Sequence, residues 1–223
     1  MFKTIGGFIL LGVLLTVLFL NTHFTLLGSG FLIGDGKHVF TYANLIKEAD
    51  VITVKFPNED DILAEVLLID PSSNLAILEL QNKVKVKRQP LNISPNGLGS
   101  KSETVFTLGY PWTNTLQDQH VLIEGSAIQA PLLIDLNMEI EPVHSGSPVF
   151  NSKHEIVGMV LMDSHAKSIF PVEGTHPYAI PARLLKNTLK KAKIDATPHQ
   201  KENLTREAFI SKSRNNVVLI EAR

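Results

Sequence analysis

The sequence predicts an all-β domain, and three observations predict it. Short apolar or alternating segments rich in Val, Ile, Thr, Phe and Tyr recur between Gly28 and Pro181. Turn-forming residues separate them at regular intervals, as in barrels and sandwiches. A Pro- and Gly-rich stretch, Lys83–Ser100, divides two halves of the same style. The 223 residues suffice for one large β domain or two small packed barrels.

The N-terminal segment comes first. After Lys3 the chain reads IGGFILLGVLLTVLFLNTHFTLL, with no Asp, Glu, Lys or Arg from Thr4 through Gly34. About 20 apolar residues cross a bilayer as a helix, and charged residues there are costly. Residues 5–25 therefore read as a transmembrane signal anchor and 1–4 as a cytoplasmic stub. The rival is a cleaved signal peptide, but FLNTHFT is a poor small-x-small cleavage site. With Lys3 as the nearby positive charge, the N-terminus stays cytoplasmic and the β domain is exported.

From Gly28 the segments GFLI, HVFTYA, DVITVKF, ILAEVLLID and LAILEL read as strands, with DPSSN a turn. The second half continues with TVFTLGYP, DQHVLIEGSAIQA, LLIDLNMEI, PVFN, EIVGMVLMD and YAIP. ARLLKNTLKKAK, Ala182–Lys193, reads as an amphipathic helix with a basic end. The tail beyond Ile194 is polar and reads as loosely packed, although VVLIEA within it could add an edge strand.

Hydrophobic content of 44% is ample for a core, and a net charge of −1 argues against nucleic acid as partner. The absence of cysteine excludes disulfides and thiolate metal sites.

Seven segments in sequence order resemble the HtrA (Deg) branch of the chymotrypsin-fold serine proteases. GSGFLI (Gly28–Ile33) is similar to that family's first strand, and FTYANLI (Phe40–Ile46) to its LTNNHVV. DPSSNLAILEL (Asp70–Leu80) resembles DPxTDLALLKI, and LGYPW (Leu108–Trp112) resembles IGNPFG. EPVHSGSPVFN (Glu141–Asn151) resembles NPGNSGGPLVN, EIVGMV resembles EVIGIN, and YAIPARLL resembles the family's FAIP segment. The resemblance implies two packed antiparallel β-barrels, residues 28–90 and 91–185, then a helix and polar tail over 186–223. It also implies that the family's PDZ module is absent, since too few residues come after the helix to build one.

The family's chemistry needs a serine nucleophile, a histidine base and an aspartate that orients the base. The resemblance puts the serine at Ser145, but the histidine position falls on Asn44 and the aspartate position on Asn74. An amide does not take up a proton near neutral pH. Losing the base removes on the order of 10⁶ in turnover in another fold with the same triad. The two amides are expected to bond each other across the cleft. The oxyanion loop, Val143, His144 and Ser145, departs as well: Val143 stands where the family has glycine, and Ser147 replaces a second glycine.

His38, His120, His144, His154, His165 and His176 are the histidines weighed as a substitute base, and each reads as a solvated surface residue. Asp163 with His165, and Glu139 and Glu141 with His144, lack a recognised metal-ligand spacing. No metal or cofactor is implied. The reading is a membrane-anchored, inactive protease homologue that binds a protein or peptide, acts as scaffold, or joins a homo-oligomer or membrane complex. The alternative is an active endopeptidase using Ser145 with an unconventional base.

Overall fold

The structure is a computed structural model that describes residues 25–34, 36–57, 59–85, 88, 91–110, 120–162, 177–195 and 204–223. Five strands fill the first half: β1 (Leu26–Ile33), β2 (His38–Tyr42), β3 (Ile52–Lys55), β4 (Ile62–Asp70) and β5 (Leu75–Leu80). A single helical turn, α1 (Ala43–Ile46), comes directly after β2. The second half holds β6 (Glu103–Gly109), β7 (Val121–Gln129), β8 (Ile134–Asn137), β9 (Pro148–Asn151), β10 (Ile156–Leu161) and β11 (Tyr178–Pro181). Two helices, α2 (Ala182–Ala192) and α3 (Arg206–Arg214), lead to a last strand, β12 (Val217–Ala222).

The strands close two barrels. Around the second the order is β6, β7, β8, β11, β10, β9. Around the first it is β12, β1, β2, β5, β4, β3. β12 therefore stands between the first and third strands of the chain, although it comes from the far end of the sequence.

The loosely packed tail expected from the sequence is corrected here. β12 lies between β1 and β3, antiparallel to both, with Leu219 opposite Ser29 and Lys55. Val217, Val218, Leu219, Ile220 and Ala222 are buried. It is an interior stave, with no free edge. Before it, α3 lays Phe209 against the second barrel, edge-on to Phe150 and Phe106 at 5.3 and 6.3 Å and stacked on His154 at 4.3 Å. The Thr205 hydroxyl caps α3 by accepting from the Ala208 N–H.

The anchor expected over residues 5–25 falls, but for Thr25, outside the described residues. No helix among the described residues is long and apolar enough to cross a membrane.

Helix α2 ties the two halves together. Its apolar face buries Leu185 and Leu189. Its Thr188 hydroxyl and Lys191 ammonium donate to Asp70 Oδ2 at 3.1 and 2.6 Å, at the end of β4. Burial alone would raise the Asp70 pKa, but these bonds and one from Ser72 outweigh it and hold the carboxyl at about 2. The folded pKa lies below the unfolded one, so this stabilisation is present above about pH 4 and is lost as pH falls towards 2. Discounted for the half-exposed Lys191, it is worth about 1–2 kcal/mol. Urea titrations will show the wild type losing that amount between pH 5 and 2 beyond what Asp70→Asn loses. Parallel loss in both proteins would contradict the assignment.

Candidate functional site

Ser145 lies in the β8–β9 connection, directly after a 3-10 turn at Pro142–His144. Proline suits the first position of such a turn, where no donor is needed. The turn closes on itself: His144 N–H donates to Glu141 O, and Ser145 N–H donates to Pro142 O, each at 3.0 Å. In the same turn, the Glu141 N–H donates to His144 Nδ1 at 3.2 Å.

Ser145 is fully buried. Its hydroxyl oxygen accepts from the Met162 N–H at 3.2 Å, and its carbonyl accepts from the Ser29 N–H at 2.8 Å. An oxyanion hole needs backbone N–H groups pointing at the place where negative charge develops. The Ser145 N–H is instead committed to the turn. Val143 carries no positive φ; its carbonyl accepts from the Ser29 hydroxyl at 2.7 Å, and its side chain packs with Tyr110, Leu219 and Leu27. Val143, His144 and Ser145 are thus brought together as a closed turn sealed against β1.

Asn44 sits in α1, and Asn74 ends the Pro71–Asn74 turn with φ 51°, a left-handed conformation that asparagine tolerates. The expected side-chain bond between the two amides is not what joins them. Asn74 Oδ1 accepts from the Asn44 backbone N–H at 3.0 Å, and Asn74 O accepts from the Ala43 N–H at 3.0 Å. The pair clips the β4–β5 turn to α1 within the first barrel. Asn74 Nδ2 is buried without a partner.

Two of the histidines read as solvated are buried. His120 bonds the Val217 carbonyl at 3.0 Å and packs on Tyr110 at 4.3 Å. His144 fills the space over Gly109, where an added Cβ would stand 2.2 Å from its Cδ2. Burial lowers the His144 pKa below the ordinary histidine value. Its Nε2 has no partner, so it does not hold the Ser145 proton. His38 begins β2, and His154 lies on the second barrel's surface against Phe209. His165, His176 and Asp163 lie outside the described residues. No cluster of three potential metal ligands occurs among the described residues.

Sequence reasoning missed Ser29 and Met162, which occupy the backbone and hydroxyl of Ser145. Met162 acts through its main chain alone, and Ser29 through its N–H and its hydroxyl, each on a segment distant in sequence.

A family model described as a trypsin-like peptidase domain matches residues 28–159. The chain belongs to the trypsin-like peptidase domain family. This trypsin-like domain is 28% identical over 139 residues to a protein of Pseudomonas putida strain GB-1, and 28% over 141 residues to one of Marinomonas sp. strain MWYL1. Both are described as probable periplasmic serine endoproteases, DegP-like. The matches cover 60% of the domain's chain but only 28% and 29% of those relatives. The crystal structure of a serine endoprotease from Yersinia pestis superposes with a TM-score of 0.60 at 20% identity, covering 75% of this chain and 57% of that one. The fold is therefore the two-barrel fold of the HtrA-like, chymotrypsin-fold proteases, as the sequence resemblance implied.

Proposed function

We propose that this trypsin-like domain works without turnover. It is a membrane-anchored, HtrA-like protease homologue that binds a protein or peptide on the extracytoplasmic side and serves as a scaffold or regulatory subunit. One observation carries the reading: Ser145 is fully buried, with its N–H spent on Pro142, its hydroxyl oxygen on Met162, and no base on its hydroxyl among the described residues. The amides at Asn44 and Asn74 support it, since neither can relay a proton. The uncharged N-terminal run supports the anchor, and the periplasmic description of the relatives supports the side of the membrane.

Both barrels are closed, so no strand among those described offers a wholly free edge to an incoming peptide.

A fluorophosphonate probe tests the reading. Wild type and Ser145→Ala are expected to show the same background labelling. Asn44→His is expected to add nothing, because the Ser145 N–H still faces the turn. Labelling of wild type that disappears in Ser145→Ala would overturn the proposal and point to an active endopeptidase.

A further inference from the structure

One end of the first barrel exposes apolar side chains to solvent, and it is the end at which the uncharged N-terminal segment joins β1. The register fixes this. Leu26 pairs with Ala222, Ala222 with Ile52, and Ile52 with Ala64, so these residues form one row across four strands. Beyond that row lie Thr25, Arg223, Val51 and the part of β4 that outruns β3. Val51 and Arg223 exchange backbone bonds at 2.9 Å, which closes the row's far side.

Nine large apolar side chains are exposed among the described residues, and five of them stand at this end: Leu26, Val51, Val66, Leu67 and Ile69. A register shift between Val66 and Leu68 explains part of the grouping. The bulge turns the consecutive residues Val66 and Leu67 both outward. Single exposed apolar residues are ordinary, but a cluster on one face marks a contact surface.

The chain itself supplies the occupant. The uncharged apolar run reaches Leu20, and only residues 21–25 separate it from Leu26. Five residues fully extended span at most about 18 Å, less than the width of a small domain. A domain tethered so closely has to rest against the bilayer that holds the run. The end facing that tether is the one bearing the exposed Leu, Ile and Val side chains. Charged groups border it: Asp50 and Arg223 are joined by a backbone bond beside Val51, and Glu65 precedes Val66, all three exposed.

We propose that this end of the first barrel sits in the lipid interface, with Val66 and Leu67 inserted below the headgroups. The proposal rests on the anchor reading given above, and it adds that the β domain has a fixed orientation on the membrane.

The chain has no cysteine, so one introduced cysteine carries a single environment-sensitive fluorophore. The full chain is placed in nanodiscs of equal parts phosphatidylcholine and phosphatidylglycerol. The fluorophore is attached at Leu67→Cys or, on the second barrel, at Ile128→Cys. Both sites are exposed in the fold, so both variants should fold. A nitroxide carried on the lipid just below the headgroup is then added. The probe at Leu67→Cys is expected to emit further to the blue and to lose about half its emission, as an interfacial side chain does. The probe at Ile128→Cys is expected to stay water-like and unquenched. Equal, water-like emission from both sites in nanodisc-bound chain would overturn the orientation and leave the anchor intact. A chain that elutes apart from the nanodiscs would overturn the anchor and the orientation with it.

Discussion

Removing residues 216–223 will leave a chain that does not unfold cooperatively. The deletion takes out a stave hydrogen-bonded on both sides, to β1 and to β3. Val217, Val218, Leu219 and Ile220 are each buried to 4% exposure or less. At about 1.5–3 kcal/mol per buried side chain, their loss is about 6–12 kcal/mol, comparable with the whole stability of a domain. The strands left behind would also carry two rows of unpaired backbone groups. The milder variant Ile220→Ala keeps the stave and leaves a cavity, for about 2–4 kcal/mol. Thermal melts monitored by circular dichroism read both effects. A cooperative, wild-type-like melt of the truncated chain would show that the first barrel closes without β12.

Gly146→Ala will be the most damaging single substitution in the Ser145 turn. Gly146 has φ 95°, and an added Cβ would lie 1.9 Å from the Ser29 carbonyl oxygen and 2.8 Å from its carbon. Those atoms are backbone of β1, so no side chain can swing aside. Strain and overlap together should cost about 4 kcal/mol or more. Gly97→Ala is the control: its φ is 69°, but nothing lies within 4 Å of the added atom. That variant loses only what the backbone conformation costs, about 1 kcal/mol. Urea midpoints of the two variants separate the terms. Similar midpoints would mean that the barrels part at Ser29 at little cost.

Local features were legible in the sequence, and distant pairings were not. Asp70–Asn74 reads as a turn because Asp, Pro and Ser favour reversal and Asn accepts the left-handed angles that the structure gives it. The helix α2 announces itself by spacing. VVLIEA has the composition of a strand, but nothing in it says that its neighbours are Ser29 and Lys55. At the candidate site, the residues at positions 44, 74 and 145 were identifiable by resemblance. The closure of the turn was not, because it depends on backbone groups of Pro142, Met162 and Ser29. The burial of His120 and His144 is not legible for a related reason. Histidine is amphipathic, and only the packing of Tyr110 and Gly109 decides that both rings go inside.

The way the first barrel closes also sets a timetable for its birth. Leu26 emerges early and Ala222 nearly 200 residues later. At about 5–20 residues per second, synthesis keeps β1 and β3 waiting on the order of ten seconds or more for their common neighbour. The second barrel has all its staves by Pro181 and can form meanwhile. Throughout that interval the first half is a sheet with two sticky margins, in need of shelter from other nascent chains. A chain broken off before β12 never leaves that state, so interrupted synthesis and loss of the tail leave the same unclosed first barrel.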